Sequence, residues 1–126
     1  MRKIYTIELF EIKNQQYYFS LNDIEANRQL KAASQVIADS DNCAFIYLLD
    51  SGEDYHYLHL PPAIWPQLVH ILQLEQNPYL KVNGDVIELT NFFEELQMLV
   101  YNIEGNYNYG EKFVKAVEES FQAILV

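Results

Sequence analysis

The chain predicts an α+β fold: antiparallel hairpins with helices packed on the sheet, in the order ββα-ββα-ββα-α. Three observations carry this reading. Strand-type runs recur in pairs on either side of a turn signal. Each pair precedes a stretch whose apolar residues return every three or four positions. No linker or low-complexity segment divides the 126 residues, so a single α+β domain over residues 1–126 is expected.

The elements follow in order. From Lys3, KIYTIELFEI alternates, with Tyr5, Ile7 and Leu9 on one face and Thr6 and Glu8 on the other. Asn14-Gln15-Gln16 breaks the pattern, and Tyr17 to Leu21 reads as the second strand of a hairpin. Asn22 or Asp23 caps a helix expected to run to about Ala38, with Ile24, Leu30, Ala33, Val36 and Ile37 as its apolar positions. Asp39-Ser40-Asp41-Asn42 is a joint whose side chains bond their own backbone. CAFIYLL and YHYLHL then flank Asp50-Ser51-Gly52-Glu53-Asp54 as a second hairpin, ended by Pro61-Pro62.

A helix is expected from Ala63 to about Gln76, with Ile64, Leu68, Ile71 and Leu72 inward. Pro66 lacks an N–H and belongs in its first turn. YLKVNGDVIEL, from Tyr79, is the strongest local signal: Asn83-Gly84 favours a type I′ turn, pairing Leu80 with Ile87 and Val82 with Asp85. Thr90 or Asn91 caps the next helix, and from Asn91 the residue Glu94 stands at capping-box spacing. Phe92, Leu96, Leu99 and Ile103 form its stripe, and Gly105 ends it in the left-handed region. A last helix, about Glu111 to Ile124, sets Val114, Val117, Phe121 and Ile124 on one side. The apolar end, Ala123 to Val126, is expected to dock on the protein's own core.

Composition narrows the function classes. Half the residues are hydrophobic and 21% are charged, as in a folded protein. The formal net charge of −10 and pI near 4.5 repel nucleic-acid phosphate, so no nucleic-acid partner is expected. Mimicry of nucleic acid toward a basic protein is a third class, but no long acidic run supports it. Cys43 is the only cysteine, which excludes an intrachain disulfide and fits a reducing cytoplasm. Glu8 and Glu11 follow Arg2 and Lys3 with no apolar h-region, so no signal peptide is expected. The longest apolar run, Cys43 to Leu49, is too short to span a bilayer, so no membrane partner is expected either.

Searches for chemistry return little. His56 and His59 point to opposite faces of a strand and cannot chelate one metal; His59 with His70 and a carboxylate is the remaining combination, and nothing requires it. Cys43 reads as a small buried hydrophobe. The serines lack a G-x-S-x-G context, four glycines do not form a phosphate loop, and the acidic run at Asp39 and Asp41 turns apolar too soon for an EF-hand. No catalytic residue, metal ligand or cofactor is assigned.

The second hairpin offers the best functional clue. Pairing Tyr47 with Tyr57 puts Phe45, Tyr47, Tyr55, Tyr57 and His59 on one aromatic face and leaves the other mainly aliphatic. Unless a helix also covers that face, with Trp65 as the available side chain, it forms an interaction surface. The Asn- and Tyr-rich stretch from Asn102 to Phe113 reads as a connector between the last two helices, with Asn106, Asn108 and Tyr109 as further ligand-lining candidates beside Asp41.

A longer pattern runs through the chain. Ser40-Asp41-Asn42, Ala44-Phe45, Tyr47, Leu49-Asp50 and Gly52 are followed by Tyr55, Tyr57-Leu58 and Trp65. Then come Glu88-Leu89-Thr90, Asn102-Ile103, Gly105-Asn106, Asn108-Tyr109-Gly110, Phe113-Val114 and Val117-Glu118-Glu119. From about Ala38 onward this resembles the YjbL-like family of uncharacterised cytosolic proteins of low-GC Gram-positive bacteria; the N-terminal third matches it in general pattern only. The resemblance implies a stand-alone acidic domain with no assigned activity, cofactor or catalytic residue.

The reading therefore leans away from an enzyme. It expects an uncharacterised acidic cytosolic domain acting as a protein-interaction module through the aromatic sheet face, with a protein partner or itself, as a homodimer. The competing class is a small-ligand binder or enzyme whose pocket is lined by Asp41, Tyr47, Tyr57, His59, Asn106, Asn108 and Tyr109.

Overall fold

A computed structural model describes residues 3–21, 29–82 and 84–126. Seven strands form one sheet: β1 (Ile4–Lys13), β2 (Gln16–Leu21), β3 (Lys31–Asp39), β4 (Ala44–Asp50), β5 (Tyr55–Leu60), β6 (Tyr79–Val82) and β7 (Asp85–Glu88). The helices are α1 (Trp65–Leu74), α2 (Phe92–Ile103), α3 (Glu111–Ser120) and a short α4 (Gln122–Leu125). The sheet order is β3-β4-β5-β1-β2-β6-β7. The expected class is present: antiparallel hairpins, joined into one curled sheet with helices packed against it.

Two parallel pairings, β1 with β5 and β2 with β6, make the sheet mixed rather than purely antiparallel. They set the N-terminal hairpin in the middle of the sheet. That hairpin turns at Asn14 and Gln15, whose φ values of 53° and 65° match the two positive angles of a type I′ turn. Tyr5 and Ile7 face the core as expected, but a register shift between Ile7 and Leu9 turns Leu9 out, leaving it 64% exposed.

The expected first helix is corrected. Its start, residues 22–28, lies outside the described residues; its end is strand β3. β4 is apolar on both faces and pairs on both edges, so β3 supplies the neighbour that β5 alone cannot. Between Ala32 and Val36 the register shifts, with Ser34 at φ 60°. That irregularity erases the two-residue alternation, and the Ala-rich remainder imitates a helical stripe. The ββα repeat is thus lost: among the described residues, five strands precede α1.

The helices fare better. Pro66 sits in the first turn of α1, whose buried residues include Leu68, Ile71 and Leu72. α2 buries Phe92, Leu96, Val100 and Ile103, and Gly105 follows at φ 68°. The expected capping box is absent. Asn91 is left-handed and makes no side-chain cap; instead Oδ1 of Asn77, from the loop before β6, accepts the N–H of Phe93 at 3.0 Å. The last helix breaks at Phe121, which is buried, so α3 and α4 replace one continuous element. Ile124 and Leu125 pack against the core, while Val126 is exposed.

The core lies between the helices and one face of the sheet. Phe45 stands at its centre, with ring centroids 5.4 Å from Trp65, 5.8 Å from Phe113 and 6.0 Å from Phe121. The Trp65 indole N–H donates to the Leu60 carbonyl at 3.0 Å, which satisfies its one polar atom inside an apolar site. The terminal strands β3 and β7 approach each other, and side chains bridge the gap. Ser34 Oγ bonds Thr90 Oγ1, and the Tyr47 hydroxyl donates to the Thr90 carbonyl at 2.7 Å while accepting the Ser34 N–H at 3.2 Å.

Candidate functional site

The expected aromatic face does not form as one surface. β4 and β5 pair one residue out of the expected register: Tyr47 opposes Leu58 rather than Tyr57, Phe45 opposes Leu60, and Ile46 opposes His59. The turn decides this. Asp50 pairs with Tyr55, leaving a four-residue loop that its own side chains hold. The Gly52 N–H bonds Asp50 Oδ1 at 2.8 Å, and Ser51 Oγ donates to the Asp54 carbonyl at 2.9 Å. Phe45 and Tyr47 consequently turn to the helices and are 0% exposed, with Tyr47 stacked on Phe92 at 5.6 Å. Tyr55, Tyr57 and His59 turn to the opposite, outer face, where Tyr55 is 54% exposed and the other two are half-buried.

The tyrosines' ionisation follows the same division. Burial pushes the Tyr47 hydroxyl above its ordinary value, although its bonds to Thr90 and Ser34 oppose the shift. Burial raises Tyr17 as well; its hydroxyl bonds His70 Nδ1. His56 is the buried histidine of β5, and its Nδ1 accepts the Lys3 backbone N–H at 2.8 Å, which places an acceptor on that nitrogen.

On the outer face the structure builds a recess of about 570 Å³, lined by Ile4, Asp39, Asn42, Ile46, Tyr57 and His59. Four strands and a turn contribute. Ile46 on β4 pairs with His59 on β5, and Tyr57 pairs with Ile4 on β1 through the parallel register. Asp39 ends β3 and Asn42 closes the turn after it; the Asn42 amide donates to Asp39 Oδ2 at 2.9 Å. Ile46 is 6% exposed and forms the apolar floor, with Ile4 at the rim, 67% exposed. The arrangement joins a hydrophobic base, one phenol ring, one imidazole and a carboxylate–amide pair.

Of the expected ligand-lining set, Tyr57 and His59 line this recess, and Asp41, Asn106, Asn108 and Tyr109 are not among the described lining residues. Asn106 is committed to its own turn, its Oδ1 accepting the Asn108 N–H at 3.2 Å. Tyr109 packs on Phe113 at 6.3 Å, and Asp41 is exposed. Sequence reasoning missed Asp39, Asn42, Ile4 and Ile46. The i, i+3 spacing of Asp39 and Asn42 in a turn was a local signal for that pair. Ile4 had none, because its place depends on a pairing 53 residues distant in sequence, Ile4 with Tyr57.

Among the described residues, no group of three or more His, Cys, Asp or Glu side chains is placed to hold a metal ion. Among them, too, no helix is long and apolar enough to cross a membrane. Comparison with known proteins gives one consistent result. The profile of UPF0738, a family of unknown function, matches residues 5–121. A UPF0738 protein of Lysinibacillus sphaericus (strain C3-41) is 64% identical over 125 residues, covering 99% of this chain and 98% of that one. UPF0738 proteins of Bacillus cereus (strain G9842) and Geobacillus sp. (strain WCH70) are 39% and 40% identical, covering 79% and 74% of this chain and 80% and 75% of theirs. No solved structure matches the chain.

Proposed function

The chain belongs to UPF0738, a family of unknown function, and because membership carries no activity with it, we propose on geometry that the protein is a small-ligand-binding module. Its site is the outer-face recess. The observation that carries this reading is the recess itself: about 570 Å³, within the range of small-molecule sites, with an apolar floor and few convergent polar groups. The side chains that would drive docking of a protein through the aromatic face, Phe45 and Tyr47, are instead core residues. Asp39 is bonded to an amide and not to an imidazole, so the recess supports binding better than acid–base chemistry.

A thermal-shift screen of small metabolite classes tests the reading. A ligand at a hundred times its Kd stabilises a protein by about 2.7 kcal/mol, a readily measured rise in Tm. The expected outcome is a saturable rise that Tyr57→Ala and His59→Ala each abolish. A rise unchanged in both variants, or no rise with any compound, refutes it.

Self-association is the second reading, favoured by the exposure of Ile4 and Tyr55 on the same outer face. Sedimentation velocity distinguishes the two: a dimer dispersed by Tyr55→Ser supports it, and a monomer at all concentrations removes it.

A further inference from the structure

We propose that the protein pairs with a second copy of itself through the open edge of β1, antiparallel and about a two-fold axis at Ile12; the inference is independent of the recess and uses a different surface from the outer-face contact at Tyr55. The edge is the first observation. β5 pairs with β1 only from Ile4 to Thr6, while β2 accompanies the strand on its other side to Lys13. Among the described residues no strand continues along the β5 side past Thr6, and Leu9, Phe10, Glu11, Ile12 and Lys13 are all exposed. The two-residue turn at Asn14 and Gln15 makes Lys13 and Gln16 a hydrogen-bonded pair, and Ile12 with Tyr17 a non-hydrogen-bonded one. By the same alternation Phe10 and Ile12 aim their N–H and C=O groups away from β2. Such an edge is a template for another strand.

Side chains identify the strand that fits. Phe10 and Ile12 lie on the core side of the hairpin, opposite the buried Phe19 and Tyr17, yet they are 44% and 52% exposed. Glu11 and Lys13 lie on the other side. A two-fold centred on Ile12 sets Ile12 against its own copy, Glu11 against the partner's Lys13 and Lys13 against the partner's Glu11. Phe10 then lies diagonal to the partner's Ile12. Centring on Glu11 would oppose two carboxylates, and centring on Phe10 would set Leu9 against the partner's Glu11. Lys81 already bonds Glu11 within the chain, and a carboxylate has acceptor sites for a second cation. The overlap is confined to the hairpin tips, so two bodies that each carry a net charge of −10 meet end to end rather than face to face. A joint this short makes a weak, concentration-dependent dimer.

Sedimentation velocity on the full chain, from micromolar to millimolar concentration, tests the inference. The wild type is expected to dimerise reversibly. Lys13→Glu and Glu11→Lys should each weaken association at least about tenfold, because each turns two attractive pairs into two repulsive ones. An equimolar mixture of the two variants should recover a heterodimer, in which every Glu again faces a Lys. Ile12→Lys should abolish association, with a dispersed amide spectrum showing that it folds. In the wild type, hydrogen exchange at the Phe10 and Ile12 amides should slow as the concentration rises.

A wild type that stays monomeric at all concentrations overturns the inference and leaves the recess reading standing. A dimer that Lys13→Glu and Ile12→Lys leave unchanged overturns it, as does one that Tyr55→Ser disperses. Failure of the mixed variants to recover the heterodimer also overturns it.

Discussion

The two faces of the β4–β5 hairpin are both rich in apolar side chains, yet they have opposite fates. Toward the helices, Phe45, Tyr47, Leu49, Leu58 and Leu60 are 0% exposed, and even His56 is buried. Away from them, Leu48, Tyr57 and His59 are only half-buried, and Tyr55 is open to water. Residue type does not separate the faces, since each holds tyrosine, a histidine and aliphatics. Cover separates them: Trp65 from α1, Phe92 from α2 and Phe113 from α3 close over one side. On the other, the described structure forms the recess at Ile46. One hairpin can therefore be a core wall and a site floor at once.

The contrast is testable, beginning with the largest effect. Phe45→Ala should cost about 3–5 kcal/mol in urea denaturation, since it empties the centre of the aromatic cluster. Tyr55→Ala, on the other side of the same hairpin, should stay within about 0.5 kcal/mol. Equal losses would mean that the faces are not divided in this way.

Tyr47→Phe keeps the ring and removes the hydroxyl, leaving the Ser34 N–H and Thr90 carbonyl short of a partner, at about 1–3 kcal/mol. Its pH dependence has a definite sign. Burial raises the folded-state value above about 10, so the folded protein holds a proton that the unfolded chain releases. The associated stability is complete below pH 10 and is lost as the pH climbs past it through the raised value. Urea midpoints measured upward from pH 9 should therefore fall in the wild type, with Tyr17 contributing in the same sense, and fall less in Tyr47→Phe.

Gly52→Ala probes the loop that sets the register. Gly52 has φ 93° with open space around it, so the cost is conformational, about 1 kcal/mol by equilibrium unfolding. The smallest effect is expected at Lys81→Gln. Lys81 bonds the exposed Glu11 and holds its carboxyl below the ordinary 4.5. That pair's stability is present above pH 4.5 and disappears as Glu11 protonates at lower pH, so wild type and variant should converge in acid.

Two hairpins show what the sequence made legible. In β6–β7 the expected pairs, Leu80 with Ile87 and Val82 with Asp85, are those observed. One side of that hairpin carries Leu80 and Val82 to the core while Asp85, Val86 and Glu88 remain exposed, so a slipped register would bury charge. In β4–β5 either register buries oily groups, and periodicity has no preference. The decision falls to Asp50 and Ser51, which bond a four-residue loop. The site was half legible for a related reason: Tyr57 and His59 stood out by type, whereas Asp39 read only as a turn residue, because the strand that it ends read as helix. Helices α1 and α2 were clearer because their buried stripes are uninterrupted by bulges.

The sheet's order has a consequence for how the chain is made. β1 and β2 leave the ribosome before β5 and β6, which fill their outer edges and whose residues emerge dozens of positions later. The backbone carbonyl of Lys3 accepts the Tyr57 N–H at 2.8 Å, a contact that no fragment ending before Tyr57 can make. Translation must run past residue 82 before the first hairpin has both neighbours. A nascent chain halted earlier would therefore carry an open-edged ribbon and be the species most exposed to misassembly.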